Sequence, residues 1–287
     1  MPVDAKMAIQ ICSYYAMIFG MGMMIWTDQM AAGYGIEVSD KSKAFMKFTG
    51  VNGLVGAAIA NTFVARIGHT KTMSLTCFAN MFAFGMPLVQ SILTTVMVAG
   101  ENAFSQKVGM DENMQLFNVF VMFALCSVSY MGWVSSGSAM PTKPNVSDLS
   151  DLDTFNFVHA CIGFFFGLPA MFKPEMLLDQ YLPGNTWVGN EQFMCPELMK
   201  IMGMLLVGNG LRAICTIQGG DGVTAYSHTR ANCMWYMMIL GFMVFADTNS
   251  TKVFGMEMDA VLPAKIFDFV RNFGMMYWGV GIMTKND

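Results

Sequence analysis

Asn52-Gly53-Leu54, His69-Thr70-Lys71 and then Cys77, Met81 and Gly85 at four-residue steps form a series that the chain writes a second time. The second copy reads Asn209-Gly210-Leu211, His228-Thr229-Arg230, then Cys233, Met237 and Gly241, at offsets of 157, 159 and 156. Outer landmarks follow suit. Phe19-Gly20 matches Phe166-Gly167, and Tyr130-x-Gly132 matches Tyr277-x-Gly279, both at an offset of 147. Five ordered matches at similar offsets read as an internal duplication.

The duplicated unit is apolar. Of 287 residues, 54% are hydrophobic and 13% charged, with a mean hydropathy of +0.46. A soluble domain carries about 25% charged residues. Half that density, in long uncharged runs, marks a chain whose solvent is a bilayer. Eight runs suit membrane helices: 7–26, 44–67, 73–98, 114–133, 155–172, 198–217, 231–246 and 264–283. The expected fold is therefore all-α and integral to a membrane, with eight transmembrane helices as two parallel tandem four-helix repeats. Residues 1–134 make the first repeat, 135–153 a linker and 154–287 the second. A four-span unit returns the chain to its starting side, so the copies are related by an axis along the membrane normal.

Small residues mark close approach. Gly53/Ala57, Gly56/Ala60 and Gly163/Gly167 are small-x-x-x-small pairs. Pro87 and Pro169 are expected to kink their spans, Pro196 to occupy the first turn of the sixth, and Asp153 or Thr154 to cap the fifth.

The chemistry-bearing residues are few. Asn52 and Asn209 sit near the middle of equivalent spans, where a buried amide must find partners. They read as interhelical glue or as a polar cofactor site on the axis. His69 and His228 occupy matching positions at one membrane boundary. Symmetric histidines can bracket a haem or a metal, yet no thiolate or carboxylate neighbours them in sequence, so no metal site is expected. His159 faces Cys12 in the alignment and reads as a satisfied buried histidine. Arg212 is the deepest charge. Asp268 and Arg271 fall at i, i+3 and can pair. Intramembrane charges are functional hypotheses by default, but these three have no counterpart in the first copy.

No sequence motif specifies a reaction: G-x-x-x-x-G-K-[ST], H-E-x-x-H and G-x-S-x-G are absent. The Glu-x-x-Asn/His-x-Arg helix motif of light-harvesting antennae is absent too. Six of seven cysteines lie in apolar runs without C-x-x-C. The lack of basic blocks excludes nucleic acid. The 32 Met and 24 Phe residues suit contact with chlorophyll, carotenoid or lipid at helix surfaces and with other membrane subunits. The expectation is a non-enzymatic accessory subunit of a larger assembly in an organellar inner or thylakoid membrane. The alternative is a transporter of a small or apolar solute. Loops 27–43, 99–113, 173–197 and 247–263 carry thirteen of the twenty acidic residues. They form the expected contact surface for a partner, led by 173–197 with Tyr181, Trp187 and Phe193.

Overall fold

Ala5–Ile25 opens the architecture as α1, started by Asp4, whose carboxylate accepts from Met7 N at 2.7 Å. The computed structural model describes residues 3–95, 97–98, 100–142, 146–181, 187–249, 252–253, 256–257 and 262–286. A short α2 (Thr27–Gly33) leads to α3 (Asp40–Thr49), a π-helical segment (Gly50–Val55) and α4 (Gly56–Ile67), which together make one continuous span. Next come α5 (Thr70–Thr95), α6 (Phe104–Val108) and α7 (Glu112–Ser135). After the linker follow α8 (Asp151–Phe172), α9 (Pro174–Tyr181), α10 (Glu191–Gly219), α11 (Gly222–Asn249) and α12 (Leu262–Asn286). Apart from a two-residue ladder pairing Lys252 with Glu257 and Val253 with Met256, the described residues are helical or irregular.

Six helical stretches among the described residues are long and apolar enough to cross a membrane: α1, α3 through α4, α5, α7, α8 and α10. At 1.5 Å per residue even the 21 residues of α1 reach about 30 Å, the thickness of a hydrocarbon core. The chain is an integral membrane protein. The seventh and eighth expected spans fall inside α11 and α12, which have 28 and 25 residues.

Several boundaries differ from the hydropathy reading. α11 begins at Gly222, not at 231, because the polar run Ser227-His228-Thr229-Arg230 is helical and partly buried against α8. α10 begins at Glu191, so Pro196 lies inside the helix rather than in its first turn. α8 is capped by Ser150, whose Oγ accepts from Asp153 N at 3.1 Å and donates to the Asp153 carboxylate at 2.7 Å. Asp153 is thus the partner of the capping Ser150 hydroxyl, not the cap itself. Gly220, at φ +67°, lets α10 turn directly into α11.

Packing follows the small residues. α1 lies on the π segment and α4, and α8 lies on α10; α5 pairs with α7, and α11 with α12. Across the middle, α10 packs on α5 and α11 on α4. A Cβ at Gly163 would sit 2.8 Å from Leu206 O, and one at Gly167 2.8 Å from Gly203 O, so the α8 and α10 backbones touch there. Gly53 receives Leu205 of α10, and Gly56 receives the Trp235 ring of α11. Gly132 lies against Ala8 and Cys77, and Gly279 against Phe155 and Cys233.

The loops on the acidic side are bound to one another. Asn190 donates to Glu37 O at 2.8 Å and to Val108 O at 3.4 Å, and Glu191, only 3% exposed, lies 3.6 Å from Lys41 Nζ. Trp187 rests on Phe45 with Lys41 over its ring at 5.3 Å, and Lys107 covers Phe193 at 5.1 Å. Trp187 and Phe193 are thus half-buried against the chain's own cap. Burying each large ring against its own chain removes apolar area from water without a partner. The Tyr181 side chain and most of loop 247–263 lie outside the described residues.

Candidate functional site

Several polar groups of the interior converge on the π segment. A π turn pairs each carbonyl with the N–H five residues on, which leaves neighbouring carbonyls misaligned with the α-helical ladder. Inside a membrane those oxygens need other donors. Here they have them. Trp235 Nε1 donates to Val51 O at 2.8 Å, Asn52 Nδ2 to Phe48 O at 3.1 Å, and Asn209 Nδ2 to Asn52 O and Gly53 O at 3.4 and 3.5 Å.

Asn52 and Asn209 thus meet, but they do different work. Asn52 serves its own helix. Asn209 crosses to the other half and also accepts, at Oδ1, from Arg212 Nη1. Arg212, 2% exposed, donates Nε to Asn80 Oδ1 at 2.6 Å, and Asn61 Nδ2 donates to the same oxygen at 3.3 Å. Among the described residues no carboxylate pairs with Arg212. Its charge is held by neutral amides.

A small cavity of about 40 Å³ opens beside Asn52 and Asn209, with His159, Tyr236, Arg271 and Asn272 in its wall. One water needs roughly 10–15 Å³ measured in this way, so the space suits a few waters and is smaller than a ring-shaped ligand requires. His159 Nδ1 is hydrogen-bonded to the Tyr236 hydroxyl at 2.8 Å, as expected for a satisfied buried histidine. Arg271 pairs with Asp268 at 3.1 Å and lies 4.7 Å over the Phe166 ring. The i, i+3 spacing was readable; the aromatic partner on α8 was not.

The histidine pairing requires correction. His69 is exposed at the start of α5, with Nε2 3.8 Å from the Asp221 carboxylate. His228 is 2% exposed, two turns inside α11, where Nδ1 lies 3.0 Å from Asn156 Oδ1 and 3.2 Å from Asn232 Nδ2. They share neither depth nor environment. The histidine rings that come near each other are His159 and His228, with centroids 6.4 Å apart. Among the described residues no group of three or more His, Cys, Asp or Glu side chains could hold a metal ion.

Sequence reasoning missed Asn80, Asn156, Asn232 and Asn272, each a buried amide. A polar residue recurring inside an uncharged run was the available signal.

A second cavity lies in the first half, between α1, α3, α5, α7 and α10. It measures about 180 Å³ and is lined mostly by aromatic, aliphatic and methionine side chains. Tyr15, Phe19 and Phe84 stand around one part of it, with Tyr15 and Phe84 rings 6.0 Å apart. Tyr34, whose hydroxyl donates to Asn118 Oδ1 at 2.9 Å, stands with Ser91 and Glu197 at another. Glu197 is engaged by Gln90 Nε2 at 2.9 Å and by Lys200 Nζ at 2.5 Å.

Comparison of the chain with protein-family models, with curated proteins and with solved structures gives no match.

Proposed function

We propose that the chain is a non-enzymatic accessory subunit of a larger membrane assembly, built as a tandem duplication of a four-helix unit with eight spans. The observation that carries the reading is the seam between the halves. Gly53 takes Leu205, Gly56 takes Trp235 and Gly208 takes Ala83, while Asn209 and Trp235 hydrogen-bond across to the π segment. Alternating access needs two halves that can rock apart around a central site. Here the halves are tied together at these contacts, which favours a static subunit over a transporter.

Duplication is supported by paired contacts at aligned positions. Gly132 meets Ala8 and Cys77, and Gly279 meets their counterparts Phe155 and Cys233. The outer faces of α7 and α12 offer large exposed side chains, among them Phe120 and Phe123 on one and Phe273 and Tyr277 on the other. In a bilayer these faces suit lipid, pigment or a neighbouring subunit. An organellar inner or thylakoid membrane is the proposed setting, and seven free cysteines fit a compartment that does not drive disulfide formation.

Extraction from its native membrane in mild detergent, followed by native electrophoresis and cross-linking, tests the reading. The expected result is co-migration with partner proteins at fixed stoichiometry, with photo-cross-linkers at positions 120 and 273 giving protein adducts. A lone monomer that supports solute counterflow in proteoliposomes overturns it in favour of a transporter.

A further inference from the structure

The repeat alignment relates the two cavities. With the offset of 147, Tyr15 and Phe19 of the larger one correspond to Ile162 and Phe166 of the smaller. With the offset of 157, Thr49 corresponds to Leu206, and Phe48, which the first half lends to the smaller cavity, corresponds to Leu205, which the second half lends to the larger. Each cavity is thus enclosed by one half and completed by the long second span of the other. They differ in what fills them. Trp235 and Tyr236 line the smaller cavity, at positions where the first half has Ala79 and Asn80. These two large rings stand in the smaller cavity, and the larger one, which neither Ala79 nor Asn80 lines, keeps about 180 Å³ open.

We propose that the open cavity is a binding site for a neutral, single-ring molecule bearing a hydrogen-bond acceptor, of the substituted benzoquinone class. Size comes first. An apolar cavity of about 150 Å³ accepts benzene, so this one accepts a substituted ring. Its wall includes Met23, Met30, Met46, Met110, Met122 and Met194, and methionine adapts to irregular shapes and favours contact with aromatic rings. Polarity comes second. Tyr15 lines the cavity, and among the described residues no group hydrogen-bonds its hydroxyl, so the phenol is a donor awaiting an acceptor. Charge comes third. The one ionisable carboxylate in the wall, Glu197, is already neutralised by Lys200, which leaves nothing to attract an ion and favours an uncharged guest. No such ring fits the 40 Å³ of the smaller cavity.

The test uses the full chain in detergent micelles, with duroquinone as probe and durene, the same methylated ring without oxygens, as its control. Ring binding needs no partner subunit, so its outcome is independent of the subunit reading. Titration calorimetry is expected to show one saturable duroquinone site per chain, about tenfold tighter than durene, the worth of one neutral hydrogen bond. Tyr15→Phe should keep the fold and erase that preference, leaving both ligands at the durene affinity. Met122→Trp, which fills the cavity, should abolish binding, whereas Ile162→Trp beside the smaller cavity should not affect it. Equal affinity for duroquinone and durene in the wild type, an unchanged preference in Tyr15→Phe, or absence of saturable binding overturns the proposal. So does mass spectrometry of the native protein showing a lipid acyl chain that duroquinone fails to displace.

Discussion

Asn209 and Asn52 are the same residue type at aligned positions, yet removing them should not cost the same. Asn52 Nδ2 bonds the carbonyl of its own Phe48. Intramembrane hydrogen bonds of that kind are worth about 0.6 kcal/mol, so Asn52→Leu should cost about 1 kcal/mol or less. Asn209 accepts from the buried Arg212, and a hydrogen bond to a charged group contributes about 1.5–3 kcal/mol. Asn209→Leu should therefore cost about 2–3 kcal/mol, measured by reversible unfolding in mixed micelles. Equal losses would show that Arg212 does not depend on the amide. This asymmetry was not legible in the sequence, because a mid-span asparagine declares that it needs a partner without declaring which. His69 and His228 teach the same lesson. Their matching flanks, His-Thr-Lys and His-Thr-Arg, look equivalent. Depth is set by where each helix begins, and α11 begins nine residues before the apolar run that hydropathy detects at 231.

Among the helices, α8 and α10 share the closest contact, and glycine is what permits it. A Cβ at Gly203 would lie 2.6 Å from Gly167 O and 2.7 Å from Met171 N, both main-chain atoms that cannot swing aside. Gly203→Ala should destabilise the protein by roughly 1–3 kcal/mol through overpacking. Gly241 in α11 has nothing within 4 Å of an added Cβ. There Gly241→Ala should stabilise by about 0.5–1 kcal/mol, the ordinary gain in helix propensity. Thermal melts of the two variants, shifted in opposite directions, are the expected outcome; a common direction would mean that propensity alone governs both. The Gly163/Gly167 spacing made a close approach by α8 readable in advance, though not that α10 is the helix it meets. The π segment was not readable, since its glycines Gly50 and Gly53 are matched by Gly56, Gly163 and Gly167 in stretches that stay α-helical.

For the whole molecule, the proposed parallel four-span halves require an even count and a common side for both ends. Tags at either terminus, and a single reactive cysteine introduced at Ser138, should be labelled by impermeant reagent from one face of sealed vesicles. A cysteine at Glu101 or Glu112 should be labelled from the other face only. Labelling of the termini from opposite faces would remove the eight-span arrangement. Hydropathy and spacing were enough to anticipate the helices, since crossing a bilayer leaves a long uncharged run. They were not enough to anticipate the cap, where Asn190 ties the second half to the loops of the first. Such ties use main-chain carbonyls as acceptors, and every residue offers one.

The π segment also sets the phase of a span. Each residue advances a helix by about 100°, and a π turn holds one residue more than the α turn it replaces. Upstream, Phe45 answers to Trp187 in the cap; downstream, Ala58 O accepts from Ser13 at 2.7 Å and Asn61 reaches Asn80. Both sets of neighbours are met only because the extra residue rotates one end of the span against the other. Shortening Gly50–Val55 by a residue would turn Ala58 and Asn61 about a quarter-turn off their partners while Phe45 stayed in place. The segment is a fixed twist between two docking directions, and its length is as much a part of the fold as any side chain.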